Sequence, residues 1–257
     1  MKSLRFLRNL FAVSAIYCFL YIPVFVLFAF SFTKDLSSLG KSFTWKWYQE
    51  LFHSPYLWES FANSLCIATL STMLALGLGT FLIFYIASGG RIVRFLHFFY
   101  GNLIIPEIVL GVGLLGLFSL LSIPLGFSTL VFAHTILGLG FAIPLIYARY
   151  IELDHRLTEA SLVLGATPRQ TFFTVTLPLL APTLIGAGLL VFITSFDDFI
   201  LSYFCTMDTQ TLSLYILSML RSGISPVINA LFTVLLLLSS GLVFLFFSVK
   251  SRARIFS

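Results

Sequence analysis

The sequence predicts an all-α polytopic membrane protein with six transmembrane helices and both termini in the cytoplasm. Three observations predict this fold. The 257 residues are 59% hydrophobic and only 10% charged, which is more apolar surface than a soluble domain of this size can bury. Apolar runs of membrane-spanning length recur along the chain. The connections between these runs are alternately rich and poor in lysine and arginine.

Six apolar runs reach the roughly 20 residues that cross a bilayer core of about 30 Å. The first run is longer than the 7–15 or so residues of a signal-peptide core, so we expect it to be a retained anchor. The chain shows no internal repeat and no linker, so residues 1–257 are expected to form a single transmembrane domain. The six runs cover residues 10–32, 61–87, 98–121, 127–148, 179–203 and 227–249.

The basic residues give the orientation of these runs. They gather in the N-terminal segment, the 88–97 loop, the 149–178 loop and the C-terminal segment. Connections rich in lysine and arginine stay in the cytoplasm, so both termini and the 149–178 loop are predicted to be cytoplasmic. Of the 15 lysine and arginine residues, the exceptions are Lys34, Lys41, Lys46 and Arg221.

The 149–178 loop is too long to be a plain connector, and it contains residues typical of helix ends. Thr158 is expected to cap a short helix with Glu159 in its first turn. Gly165 suits a left-handed helix end. A second short helix is expected to begin after this glycine, with Thr167 as its cap and Pro168 at its first position.

Pro178 is expected to end this second helix before the fifth run begins. The loop would then contain two short helices that meet at a sharp corner and lie on the inner face of the membrane. The residue pattern alone leaves two interpretations open. The corner either docks as a rigid element into a cleft on another protein, or it is an ordinary amphipathic interfacial loop.

Three acidic residues lie within the apolar runs, where a charge costs about 2.5–3.5 kcal/mol on insertion scales. Glu107 lies near the middle of the third run, and Asp197 and Asp198 lie towards the outer end of the fifth. They either line a path for an organic cation, or they pair with a neighbouring subunit or meet the water interface. The second explanation suits Asp198 better than Glu107. His97 and His134 look isolated, so no metal site is expected.

The residues of the 149–178 loop also follow a known pattern. Glu159-Ala160-Ser161, then Gly165, then Val175 with Leu177-Pro178 resemble the E-A-A, Gly, I-x-L-P pattern of the permease subunits of type I ABC importers, with serine and valine as small departures. Segments 43–52, 106–111 and 195–199 are similar to the spermidine/putrescine permeases, the C subunit in particular. The resemblance extends over nearly the whole chain.

This resemblance implies a permease in a bacterial inner membrane that moves polyamines inward. The implied partners are two copies of an ATPase that binds ATP and Mg²⁺, a sister permease and an extracytoplasmic solute-binding protein. The residues implied to shape the ATPase-docking element are Glu159, Ala160, Ser161, Gly165, Leu177 and Pro178. The acids that would form the substrate path are Glu107, Asp197 and Asp198.

The chain itself is not expected to be an enzyme or to hold a cofactor, because it has no G-x-x-x-x-G-K-[ST] phosphate-binding motif. Its basic residues are spread between apolar runs, so no nucleic-acid partner is expected either. Other functions were weighed against the polyamine permease. They are a permease for another cargo such as ferric iron, a secondary transporter in which Glu107 carries a proton, and an intramembrane serine protease, for which Ser88 and His134 lie at different depths.

Overall fold

A computed structural model describes residues 2–34, 43–90, 93–102, 104–221 and 226–255. These residues are almost entirely helical and contain one isolated antiparallel bridge, between Thr33 and Phe43, but no strand. The helices are α1 (Lys2–Phe30), α2 (Lys46–Phe52), α3 (Pro55–Ala87), α4 (Val93–Asn102), α5 (Glu107–Leu120), α6 (Phe127–Glu152), α7 (His155–Val163), α8 (Pro168–Thr171), a π-helical turn (Phe172–Thr176), α9 (Leu177–Asp197), α10 (Ile200–Cys205), α11 (Leu212–Arg221) and α12 (Pro226–Ile255).

Among the described residues, four helical segments are long and apolar enough to cross a membrane, as expected of a multi-pass membrane protein. They are Val13–Phe30 within α1, the whole of α3, the whole of α6, and the segment Pro168–Asp197. These segments coincide with the first, second, fourth and fifth predicted runs. Shorter apolar helices occupy Glu107–Leu120, Leu212–Arg221 and Pro226–Gly241.

The third predicted run, 98–121, is not one helix. Helix α4 ends at Asn102 and α5 begins at Glu107. Between them Pro106 adopts an extended backbone, with φ −57° and ψ 134°. Proline has no N–H and disfavours a helical residue before it, which explains the break. Glu107 therefore lies in the first turn of a new helix and not halfway along a continuous one.

The fifth predicted run, 179–203, is also divided. Helix α9 ends at Asp197, Asp198 has an extended backbone (φ −65°, ψ 128°), and α10 starts at Ile200. The Oδ2 atom of Asp198 accepts a 3.0 Å hydrogen bond from the amide of Ser202 in the first turn of α10, which favours a helix start at this point. Asp197 therefore ends one helix, and Asp198 lies in the break between two helices rather than on a continuous one.

The chain divides into two compact units, and the first contains residues 1–57 and 216–257. In this unit α12 packs against both α1 and α2. The connection after α1 is held by side chains. The Tyr48 hydroxyl lies 2.7 Å from Ser31 Oγ, and Trp47 Nε1 donates a 2.8 Å hydrogen bond to the carbonyl oxygen of Thr33.

The second unit contains residues 58–215, and α6 runs through it. One apolar cluster joins α5, α6 and α10, and another joins α3, α6, the π-helical turn and α9. The helices approach most closely at Gly138 of α6. A Cβ atom there would lie 2.7 Å from Val191 Cγ1 of α9 and 3.1 Å from Ala75 Cβ of α3. Both candidate sites described next belong to this unit.

Candidate functional site

The first candidate site is the corner formed by residues 154–171, which we call the coupling corner. Helix α7 begins after Asp154, whose carboxylate accepts a 3.0 Å hydrogen bond from the amide of Arg156. The predicted cap at Thr158 is wrong, because Asp154 already supplies a capping side chain and the extended backbone (φ −67°, ψ 107°) that a cap requires. Glu159 consequently lies in the middle of α7 and not in its first turn.

The end of α7 matches the sequence prediction. Gly165 has a φ of +90°, a left-handed conformation that favours glycine. Its amide donates to the Leu162 carbonyl at 3.0 Å, and the amide of Ala166 donates to the Ser161 carbonyl at 3.2 Å. This pair of hydrogen bonds is a Schellman motif, which satisfies carbonyls that the helix end would otherwise leave free. The chain reverses direction here without loss of backbone hydrogen bonds.

The start of α8 also follows the prediction. The Thr167 hydroxyl accepts from the amide of Gln170 at 3.3 Å, and the amide of Thr167 donates to Gln170 Oε1 at 2.9 Å. This is a capping box, with Pro168 at the first helical position. Ser161 Oγ lies 3.0 Å from Thr171 Oγ1 and thereby joins α7 to α8. Side-chain contacts from both α7 and α8 therefore stabilise the corner.

Helix α8 does not end before the fifth run, so the predicted stop at Pro178 is wrong. The backbone continues through the π-helical turn, where the amide of Leu177 donates to the Phe172 carbonyl five residues earlier. In a regular α-helix the ring of Pro178 would meet the Thr174 carbonyl, and a wide turn directly before the proline gives the ring room. Residues 168–197 therefore form one helical segment of 30 residues.

The outer surface of the coupling corner carries exposed apolar side chains. The side chains of Val163 and Leu164 are 86% and 88% exposed. Glu159 and Ala160 are exposed beside them, and Ser161 is half-buried against α8. Exposed aliphatic side chains at the tip of a rigid element are typical of a protein-binding surface. Leu177 is half-buried and Pro178 exposed, so these two residues contribute to the junction with α9 and not to the tip.

The Gly165→Ala substitution tests the strain at this corner. No atom lies within 4 Å of the position of an added Cβ, so the cost comes from the left-handed backbone, about 1–2 kcal/mol. We expect a lower thermal unfolding temperature in detergent. Gly186→Ala is the matched control, because Gly186 is equally uncrowded but lies within α9, where alanine favours the helix. Equal unfolding temperatures for the two variants would contradict the left-handed backbone conformation assigned to Gly165.

The second candidate site contains the predicted acids, which differ sharply in burial. Asp198 is only 7% exposed, whereas Glu107 and Asp197 are exposed. The Asp198 side chain is therefore covered by other parts of its own chain. Gly111 lies one helical turn after Glu107 on the same face of α5, and a Cβ atom added there would lie 3.1 Å from Phe204 Cδ2 of α10. This face of α5 is therefore turned towards α10.

A chain of buried polar side chains that sequence reasoning missed leads to Asp198. Ser71 Oγ of α3 lies 3.1 Å from Ser195 Oγ of α9, which lies 2.7 Å from His134 Nδ1 of α6. His134 Nε2 lies 3.4 Å from Ser202 Oγ and 3.6 Å from Asp198 Oδ2. The expectation that His134 is isolated is wrong. Its partners are 61 to 68 residues away in sequence, and a single-sequence pattern has no signal for such pairs.

The two carboxylate oxygens of Asp198 have different surroundings. Oδ2 receives the amide of Ser202, and the backbone oxygen of Asp198 accepts from Ser213 Oγ at 2.7 Å. The Oδ1 atom is buried and has no hydrogen-bond partner among the residues that the structure describes. A buried acceptor without a donor is costly. The carboxylate of Asp198 is thus held at the start of α10 through Oδ2, while Oδ1 is enclosed by the chain.

Ser195, His134 and Asp198 have the residue types of a hydrolytic triad, but not an accessible one. Ser195 is 5% exposed and His134 1%, so a substrate carbonyl cannot reach the serine oxygen, which a nucleophile requires. Within the described ranges no group of three histidine, cysteine or acidic residues is placed to hold a metal ion. The geometry supports a buried polar network that ends at the Asp198 carboxylate.

No family model matches this chain, but individual relatives do. It is 36% identical over 247 residues to the spermidine/putrescine transport system permease protein PotC of Haemophilus influenzae, with 93% of this chain and 95% of the relative covered. PotC of Escherichia coli is 36% identical over 241 residues, which cover 91% of this chain and 90% of PotC. The putrescine transport system permease protein PotI of Escherichia coli is 32% identical over 231 residues, with 86% and 82% covered.

A solved structure has the same fold. It is the crystal structure of a bacterial ABC transporter involved in the import of the acidic polysaccharide alginate, with a TM-score of 0.68, 16% identity and 96% of both chains covered. At that identity the likeness concerns the fold alone. The relatives, in contrast, match the sequence over nearly its full length. The chain therefore belongs to the family of polyamine transport system permeases that includes PotC and PotI.

Proposed function

We propose that this chain is the membrane-spanning permease subunit of an ATP-driven ABC importer that carries spermidine or putrescine into the cytoplasm. One observation carries the proposal: identity of 36% over more than nine tenths of the chain to permeases named for spermidine/putrescine transport. The three acids within the apolar runs, Glu107, Asp197 and Asp198, support a cationic cargo.

The proposed topology is that of a single transmembrane domain in a bacterial inner membrane. Six segments cross the membrane. The pair α4 and α5 forms the third crossing, and α12 forms the sixth. Both termini and the coupling corner lie in the cytoplasm. The distribution of lysine and arginine supports this orientation, and the four long apolar helices support the other crossings.

The proposed complex joins this chain to a sister permease, two copies of an ABC ATPase and an extracytoplasmic solute-binding protein. ATP and Mg²⁺ belong to the ATPase. The coupling corner docks on that subunit and passes its movement into α9. The exposed Val163 and Leu164 and the rigid helix ends support this role. The residues that form and support the docking element are Glu159, Ala160, Ser161, Gly165, Leu177 and Pro178.

The proposed substrate path is lined by Glu107, Asp197 and Asp198. Polyamines are cations at neutral pH, and a carboxylate with little solvent around it attracts an ammonium group more strongly than one in water. A cation bound near these three acids would offset the repulsion between their negative charges.

The Asp198→Asn variant tests this path in the complete transporter, reconstituted in liposomes with its binding protein. The substitution keeps the size of the side chain and removes the charge. Loss of one hydrogen bond to a charged group is expected to raise the KM for polyamine uptake about tenfold or more. Asp208→Asn is the matched control, because Asp208 is an exposed carboxylate in the loop after α10. An unchanged KM in Asp198→Asn would refute the proposal that Asp198 lines the substrate path.

A further inference from the structure

His134 is the point where the buried polar chain meets the acid site. The residue is 1% exposed. Both of its ring nitrogens face polar groups, with Ser195 Oγ at 2.7 Å from Nδ1 and Asp198 Oδ2 at 3.6 Å from Nε2. A ring with both nitrogens engaged cannot rotate without losing a contact, so its orientation is fixed by α9 on one side and by the start of α10 on the other.

The surroundings of Nε2 indicate which nitrogen carries a hydrogen. If Nε2 presented a lone pair, it would face Asp198 Oδ2 and also Ser202 Oγ, whose hydrogen is directed to the Asp198 carbonyl at 3.2 Å. Acceptors would then face each other with no hydrogen between them in a region with little water. With a hydrogen on Nε2, the ring donates towards Oδ2, and the Ser195 hydroxyl can donate to Nδ1. Ser71 lies 3.1 Å from Ser195 and fixes that hydroxyl in turn.

We propose that His134 is a positioning residue for substrate binding. Its Nε2 atom lies 3.6 Å from Oδ2 of Asp198 and 3.4 Å from Ser202 Oγ, and the Ser202 amide bonds the same Oδ2, so these groups together keep the Asp198 carboxylate in one orientation at the start of α10. This inference rests on the proposed function, in which Asp198 meets the substrate. His134 does not touch the cargo, and it acts through the orientation of the Asp198 carboxylate.

Two substitutions at His134 separate its contacts. The amide of glutamine reaches the position of Nε2, whereas the shorter asparagine reaches only the position of Nδ1. His134→Gln therefore keeps the contact with Asp198, and His134→Asn keeps only the contact with Ser195. In the reconstituted transporter we expect His134→Asn to raise the KM for polyamine uptake about tenfold, with the maximal uptake rate changed less than about twofold. His134→Gln is expected to restore most of the affinity.

Thr135→Val is the matched control on the same helix, because the Thr135 hydroxyl donates to the Val131 carbonyl of its own helix. Its KM is expected to stay at the wild-type value. If His134→Gln and His134→Asn raise the KM equally, or if both lower the maximal rate at constant KM, His134 is a structural residue and the proposal is wrong.

A double substitution distinguishes failure of this inference from failure of the proposed path. In an Asp198→Asn background, His134→Asn should add less than about a twofold change in KM, because residues that act through one another are not additive. If Asp198→Asn raises the KM but His134→Asn does not, the positioning role fails and the path stands. If Asp198→Asn has no effect, both fail.

Unfolding curves in detergent show whether each variant is folded at the assay temperature. Should His134→Asn unfold, Ser195→Ala tests the same idea, because it removes the partner of Nδ1 and leaves the ring in place. The expected result is a KM about threefold higher than that of the wild type. An unchanged KM for Ser195→Ala would then overturn the proposal.

Discussion

Replacing Gly138 with leucine is expected to abolish folding of the transmembrane unit of residues 58–215. A Cβ atom at this position would already lie 2.7 Å from Val191 Cγ1 and 3.1 Å from Ala75 Cβ. The further three carbons of leucine have no space unless α3, α6 and α9 separate. Overpacking typically costs 1–3 kcal/mol or so, and separation of three helices that form the apolar cluster around Ala75 and Val191 costs more.

The measurement is the yield of folded protein after size-exclusion chromatography in detergent, together with the unfolding temperature. Gly186→Leu provides the control, because an added Cβ at Gly186 meets no atom within 4 Å. Its yield should equal that of the wild type. A Gly138→Leu protein that elutes and unfolds like the wild type would show that the three helices are not in close contact there.

Replacing Leu164 with aspartate is expected to uncouple the chain from its ATPase without unfolding it. The leucine is 88% exposed at the tip of the coupling corner, so the change leaves the packing within the chain intact. At the centre of a docking surface, however, a buried carboxylate without a partner costs several kcal/mol. We expect uptake to fall more than about thirtyfold and the ATPase to be lost during co-purification of the complex.

Met207→Asp is the control for this experiment. Met207 is 84% exposed in the loop after α10, outside the coupling corner, and the same charge is introduced there. This variant should retain the ATPase during purification. Retention of the ATPase and full uptake in Leu164→Asp would place the docking surface elsewhere on the chain.

The coupling corner shows what local sequence can predict. Gly165, Thr167 and Pro168 were assigned their helix-end roles correctly, because each role depends on backbone conformation within a few residues. The prediction that Thr158 caps a helix was wrong, although it used the same kind of local pattern. Threonine and aspartate both cap helices, and the pattern does not show that Asp154 comes first with the required backbone.

The acid site shows where prediction from one sequence ends. The apolar runs 98–121 and 179–203 continue through the breaks at Pro106 and Asp198. A prediction from hydropathy alone therefore gives one helix where the structure has two. The role of His134 depends on α9 and α10, which fold against α6 from positions far along the sequence. The burial of Asp198 likewise depends on tertiary contacts, which a pattern in a single sequence does not show.

The two candidate sites lie at opposite ends of one continuous helical segment, which runs from Pro168 to Asp197. Its 30 residues span about 45 Å at 1.5 Å per residue. Asp198, which follows the last residue of the segment, is tied to its neighbours on α6 and α10, whereas the other end carries the exposed corner. If the corner docks on an ATPase as proposed, a displacement of a few ångströms there tilts the segment as a whole. Such a tilt changes the angle of the Asp198 carboxylate while the hydrogen bonds within the segment stay intact.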